Sequence, residues 1–482
     1  MRRKTRQALF WICFFVFVVV SPILVLYARG YRFDLAKRKF VATGSIFVKS
    51  NPEGAAIFVN GVERGYTPGV LGDVISKPSL ISNILPGEHD VRVEKPGYTP
   101  WVKKLTVRPR QVTEARSILL FADTRPKTLY FTSITDALVS PDGAHAAVVH
   151  EGGATSWIAL VNVADPAQQK VLYAQKHQKN EEKNPRLTLE AFSKNGRVLL
   201  VKKEVKRSPP SLFTVSSDET ANMHVLPKFS GASTAFRKIA FKESGSISIL
   251  DTRQTLWQWS GVTGEAPARI SASAWGFAVH KDLLYTLEGN PQTLFSYTAD
   301  STKKTQVGIG SVEESAVPAE LFVESLPGGL IVFLAIPEGL TKGTVRLLRG
   351  DEKMQDLQKE VEFFQVSPDG KKILTKTWNE LWVHYFDDIL TQPVHKKGDV
   401  LLVARFGTRI KEARWHPLSG DHILYTVPDG LFAIELDDRG GKRNTVELVR
   451  NGDIALRSLT RDGLFFTAQE HLALLPWRPK EE

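Results

Sequence analysis

The stretch "LVSPDGAHAAVVHE" at 138–151 returns, altered, as "QVSPDGKKILTKTW" at 365–378. Each reads as a strand, a turn and a second strand. Proline presets the first turn dihedral, aspartate accepts from its own backbone, and glycine takes positive φ without strain. "AFSKNGRVLLVKK" at 191–203, "RWHPLSGDHILYTV" at 414–427 and "SLTRDGLFFTAQE" at 458–470 keep the form. A third strand often follows, as in "WIALVNV", "ELWVHYF" and "GLFAIEL". Weaker copies fill the gaps: "IAFKESGSISIL", "FAVHKDLLYTLE" and "LFVESLPGGLIVFLA". The turns fall at 143, 196, 245, 282, 328, 370, 420 and 463, spaced by 37–53 residues. A four-stranded propeller blade takes about 40–50 residues. An all-β chain with a β-propeller over 121–482 is therefore expected, with eight blades, or seven as the alternative. The last copy ends at Trp477 with three strands. "KTLYFTS" at 127–133 is expected to add the outer strand and close the ring, which protects the sheet edges.

Upstream, residues 44–120 carry shorter period-two segments: "GSIFVKS", "AAIFVNG", "EHDVRVEKPG" and "WVKKLTVRP". Asn60-Gly61, Pro86-Gly87 and Pro96-Gly97 punctuate them as turns. "SNPEGAAIFVNGVERGYTP", followed by "ILPGEHDVRVEKPGYTPWVKKLTV", resembles the PEGA domain. The name-giving tetrapeptide stands at Pro52-Glu53-Gly54-Ala55, and Gly65, Thr67-Pro68, His89, Tyr98 and Trp101 follow in order. The resemblance implies a small, non-catalytic β-sandwich of bacterial and archaeal surface proteins. "GVLGDVISKPSLISN" at 69–83 departs from the pattern and is expected to form a longer loop. The repeats with Ser140-Pro141-Asp142-Gly143 and Ser367-Pro368-Asp369-Gly370 resemble WD40-like, TolB-type propeller repeats.

Residues 8–28, "ALFWICFFVFVVVSPILVLYA", hold no charge. About 20 apolar residues suffice to cross a bilayer. Leu26-Tyr27-Ala28 is a poor cleavage signal, so an uncleaved transmembrane anchor is expected. Pro22 is tolerated in such a helix. Trp11 and Tyr27 stand near its ends, where amphipathic rings prefer to sit. The expected layout is a cytoplasmic basic tail (1–7), the anchor (8–28), a juxtamembrane linker (29–43), the PEGA-like sandwich (44–120) and the propeller. The protein is placed in the cytoplasmic membrane as a single-pass chain with its C-terminal domains on the extracytoplasmic side. Net charge is +11, but residues 1–39 carry +8 of it. That distribution favours lipid headgroups and excludes nucleic acid as a partner.

The single cysteine, Cys13, lies in the apolar run, so disulfides, cysteine-based zinc sites and a cysteine nucleophile outside it are excluded. No nucleophile elbow, P-loop or zinc-protease helix motif is present. His145 and His150 are five residues apart on a strand, which turns them to opposite faces and makes a poor metal pair. The sequence thus points to a non-enzymatic binding or scaffolding module without cofactor or metal. The alternative is a propeller glycosidase or lyase acting on envelope carbohydrate, which requires two carboxylates about 5–10 Å apart in the funnel.

One charge concentration stands out in the propeller. The links 174–186 (net +2) and 202–210 (net +3) are expected on the same face of the ring. Lys179, Lys183, Arg186, Lys202, Lys203, Lys206 and Arg207 are the candidate contacts for a protein or an anionic envelope polymer.

Overall fold

The computed structural model describes residues 3–34, 38–68, 80–130, 133–152, 154–177, 184–206, 208, 210–217, 223–225, 236–242, 245–259, 266–280, 283–289, 293–298, 303–307, 318–350 and 353–479. Among the described residues, one α-helix, Arg3–Ala28, comes first, and the regular structure after it is strand apart from a single 3-10 turn at Arg439–Gly441. The helix runs through Pro22, and its segment Leu9–Ala28 is long and apolar enough to cross a membrane. Trp11 and Tyr27 are both exposed on it.

The segment read as a linker contributes two paired strands. Tyr31–Asp34 pairs antiparallel with Lys39–Ala42, and Thr43 closes this hairpin on the carbonyl of Gly30. The PEGA region follows at once as two packed sheets. One orders its strands Val62–Tyr66, Ala56–Val59, Gly87–Glu94 and Trp101–Val107; the other orders Leu80–Ile84, Gly44–Asn51 and Val112–Leu119. Ile46, Val48, Ile57, Val91, Val93 and Leu105 are fully buried between them. The family motif residues hold the turns. Asn60 and Gly61 both have positive φ (51° and 78°), the geometry a two-residue hairpin needs. Asn60 also bonds His89, which reaches the carbonyl of Leu85. Thr67 is buried and bonds both Ser50 and the amide of Ala55.

The expected long loop at 69–83 needs correction at its end. Leu80–Ile84 is a strand on Gly44–Phe47, because Ile81 and Ile84 can then enter the core. Residues 69–79 lie outside the described ones.

Among the described residues, eight four-stranded antiparallel sheets follow from Lys127 to Pro476. Sheets 1–7 span 134–176, 186–225, 236–271, 274–306, 318–361, 363–405 and 412–449. Within each, strands a to d run in chain order outward from the centre. Strand a of each sheet contacts strand a of the next, and that of sheet 8 contacts that of sheet 1. Sheet 8 combines 454–476 with Lys127–Tyr130, which pairs with His471–Pro476. The ring therefore closes through a strand some 340 residues upstream of its partner, as the three-stranded last repeat requires.

Apolar cores lie between neighbouring sheets rather than inside one centre. Ala147, Val149, Leu199 and Val201 join sheets 1 and 2, and Leu129, Phe465, Leu472 and Val148 join sheets 8 and 1. The turn aspartates serve the turns: Ser140 donates to Asp142 (2.6 Å), Gly143 has φ 72°, and Ser367 and Asp369 repeat the arrangement. In sheets 1 to 5 and 8 the a–b ladder slips by one residue within strand a. A bulge there adds twist to the most crowded strand of the ring.

Candidate functional site: the two ends of the propeller

In an antiparallel sheet, the a–b and c–d links emerge at one end of the ring, and the b–c and d–a links at the other. The PEGA domain occupies the first end, against sheets 6 to 8. The pattern "WVKKLTV" turns Trp101, Lys103, Leu105 and Val107 to the buried side of their strand. Trp101 donates its indole N–H to Glu435 Oε2 (2.8 Å). Lys103, with 2% of its side chain exposed, pairs with Glu435 and with Asp437 Oδ1 (3.6 Å) and donates to the Asp437 carbonyl. Asp437 is also gripped by Arg439 (2.6 Å), and burial, which would raise its carboxyl, is outweighed by Arg439 and Lys103, leaving it below the usual range. Gly440 has φ 77°, and a Cβ there would stand 2.7 Å from the Lys104 carbonyl, so only glycine allows this approach.

A second set of contacts lies beside the first. Ser117 donates to Asp421 (2.5 Å), and Asp421 shares the buried Lys372 ammonium with the turn residue Asp369, each at 2.9 Å. Phe121 packs edge-on against His416 and His422. Burial pushes these imidazoles down to about 3 and about 4, so both are neutral at pH 7. Further along, the c–d link of sheet 6 reaches over the domain: Gln392 donates to the Val112 carbonyl (3.1 Å) and accepts from the Glu114 amide (3.2 Å). The docked domain is thus held by ion pairs, hydrogen bonds and an aromatic wedge.

The funnel is lined by the strand a residues. Their inner edges, which have no neighbouring strand, would leave backbone N–H groups unpaired, which costs free energy when water is excluded. Side chains from the preceding sheet accept several of them. Asp136 of sheet 1 takes Leu189 N–H (2.9 Å), Glu324 of sheet 5 takes Val366 (2.7 Å), Gln365 of sheet 6 takes Trp415 (2.9 Å), and Glu412 of sheet 7 takes Leu456 (3.0 Å). Arg457 of sheet 8 pairs with Asp136 (3.2 Å) across the ring closure. Burial raises Glu324 to about 7, against the opposing Val366 N–H and Arg414. Burial also raises Glu190, with nearby Asp136 adding to the shift and Lys202 opposing it. Sequence reasoning missed this stitching, because each acceptor finds its amide 42–53 residues away.

The described basic candidates, Arg186, Lys202, Lys203 and Lys206, lie at the opposite end, that of the b–c and d–a links. Lys179, Lys183 and Arg207 lie outside the described residues. Arg186 and Glu204 stand opposite each other as ladder partners. Lys202 and Lys203 belong to strand Val198–Glu204 rather than to the link, and the pleat turns them to opposite faces. Lys202 pairs with Glu204 (2.5 Å), and Lys203 donates to Gln175 of sheet 1 (2.7 Å), with burial lowering its ammonium. Lys206 follows in the link itself. The cluster is therefore divided: Lys203 joins two sheets, whereas Lys206 belongs to the link. Among the described residues, no group of three histidine, cysteine or carboxylate side chains is placed to hold a metal.

The chain is a PEGA domain joined to a β-propeller: the PEGA domain model matches residues 43–119. Among solved structures, it is similar to the propeller of Dos1 (TM-score 0.48, 11% identity, covering 74% of this chain and 95% of that one). It is also similar to the dihydro-heme d1 dehydrogenase NirN in complex with DHE (0.44, 16%, 72% and 71%). Hsv2 of Kluyveromyces marxianus is a further likeness (0.41, 11%, 67% and 100%). No curated protein matches the chain.

Proposed function

We propose that this protein is a membrane-anchored, non-enzymatic binding module of a bacterial or archaeal surface. In it the PEGA domain mounts the propeller, and the free end of the ring engages an anionic partner, a protein or an envelope polymer. The observation that carries the reading is the docking of the PEGA domain on the end that holds Glu435, Asp437 and Asp421. The opposite end, with Arg186, Lys202 and Lys206, carries none of those contacts. Clustered cations there steer an acidic partner and lose that effect as salt screens them.

Charge reversal of Lys206 and Arg207 to Glu tests the docking end without touching the Lys203–Gln175 bond. Salt-sensitive binding to envelope extract should disappear with the melting temperature unchanged; undiminished binding discards this end as the docking surface. Anchoring has its own test. The full chain should stay in the membrane pellet through a carbonate wash, and its release would refute the anchor.

The second reading is a carbohydrate-cleaving propeller, for which Asp136 and Glu190 are the candidate carboxylates. Asp136 already serves Arg457 and the amide of Leu189, which commits it to ring closure and weighs against a catalytic role.

A further inference from the structure

We propose that the end of the molecule around the helix exit is a two-part foot that seats in the headgroup layer of an anionic bilayer. This rests on the membrane-anchor reading and extends it from one helix to a surface. The first part is the hairpin of Tyr31–Asp34 and Lys39–Ala42. Phe33 and Phe40 are direct cross-strand partners, their rings meet edge-on at 5.3 Å, and both are exposed (47% and 44%). Such a pair facing water gains nothing from its exposure, whereas amphipathic and aromatic side chains are favoured at a bilayer interface. Arg38 and Lys39 stand exposed beside it.

The hairpin cannot swing freely. Arg32 lies over the Tyr27 ring at 3.2 Å and donates to the Tyr27 carbonyl, which ties the hairpin back to the helix end. On its other side, Arg110 of the PEGA domain donates to the Tyr31 hydroxyl (2.5 Å) and to the Thr43 carbonyl. Arg108 and Arg110 are exposed in the same turn. The PEGA domain is thus coupled to the point where the helix ends, and it brings two more cations there.

The second part comes from the propeller. The c–d link of sheet 6 extends along the PEGA domain until Gln392 bonds the Val112 carbonyl, two residues beyond Arg110. Two extended residues span about 7 Å, so this link reaches the neighbourhood of the helix exit. Its tip exposes Leu390 (83%) and Val394 (59%), next to exposed Lys396 and Lys397. The link's own carboxylates are already engaged: Asp387 pairs with Lys371, Asp388 and Asp399 accept from the amides of Lys397 and Lys396, and Asp399 also faces His395. Two apolar tips with basic neighbours, converging on one helix exit, suit an interface of acyl chains below and phosphates above. Cations near such a surface are attracted by its negative potential. The consequence is a fixed tilt: two separated feet and a helix hold the docked PEGA–propeller body at one angle to the membrane.

The full chain, reconstituted into phosphatidylcholine vesicles with and without phosphatidylglycerol, provides the test. In a Cys13→Ser background, single spin labels are placed through Phe33→Cys, Phe40→Cys and Leu390→Cys, with Leu340→Cys at the opposite end of the ring as control. Phosphatidylglycerol should make labels at 33, 40 and 390 several-fold less accessible to a water-soluble nickel relaxant and more accessible to oxygen, while the label at 340 stays unchanged. Vesicle flotation is read on the same samples. Protein that floats but shows all four labels equally open to nickel overturns the foot and leaves the anchor standing. Protein that fails to float overturns both. Burial at 33 and 40 but not at 390 overturns the two-part foot and its fixed tilt.

Discussion

Replacing Lys103 by methionine probes the junction most directly. Methionine keeps the length and apolar stem of lysine but removes its charge. Glu435 would retain the Trp101 indole and the Asn444 amide as donors, but it would lose the cation it contacts in a pocket where 5% of its side chain is exposed. Asp437 keeps Arg439 and so loses less. Removing one partner of a buried ion pair costs roughly 3–5 kcal/mol, because the other charge remains buried and uncompensated. At about 1.4 kcal/mol per factor of ten, the docked-to-undocked ratio should fall on the order of 10²–10³-fold or more. The propeller's own cores do not contain Lys103, so the loss should appear as domain separation rather than unfolding of the ring. Distances between spin labels on the PEGA domain and on sheet 7 report it. A broad, lengthened distribution is expected for Lys103→Met, and partial recovery for Lys103→Met with Glu435→Gln, which removes the stranded charge. An unchanged distance distribution in the single variant would refute the claim that this ion pair holds the junction.

Three further outcomes are expected. His384, His416 and His422 are depressed by burial to about 4, about 3 and about 4, so the unfolded chain takes up protons on them near pH 6.5 while the folded chain does not. Their contribution to stability is therefore present at neutral pH and lost as pH falls from about 6.5 to about 4; thermal melting across that range should show the slope, and His416→Gln should flatten it. Glu324 has the opposite sign, since its carboxyl is raised to about 7: Glu324→Gln should raise the melting temperature at pH 8 and change it little at pH 5. Deleting 127–133 removes the outer strand paired with His471–Pro476 and the buried Leu129, so cooperative unfolding should be lost or the protein should aggregate; an unaltered calorimetric transition would speak against this closure.

Much of the architecture is local and therefore legible in the chain. Serine, aspartate and glycine in "SPDG" close their own turn within five residues, so the repeat announces itself wherever it occurs. The PEGA turns are equally local, with Asn60-Gly61 setting a hairpin by backbone preference alone. The uncharged run at 8–28 forms a helix that needs no partner within the protein for its backbone. Even ring closure left a trace, because a last repeat with three strands demands a fourth from elsewhere.

What the tertiary structure alone decided are the pairings between residues far apart in the chain. Lys103 stands at an inward position of "WVKKLTV", which signals that a buried lysine needs an anion, yet nothing local says that the anion is Glu435. Lys202 and Lys203 read as neighbours in a basic loop, but the pleat separates them and gives one to Gln175 of another sheet. The residues read as a juxtamembrane linker form a hairpin clasped by Arg110, about 80 residues on. Periodicity reports which side of a strand a residue takes. Which charge, amide or ring it meets there depends on how whole sheets stack, and that is set by the sum of many weak apolar contacts rather than by any one segment.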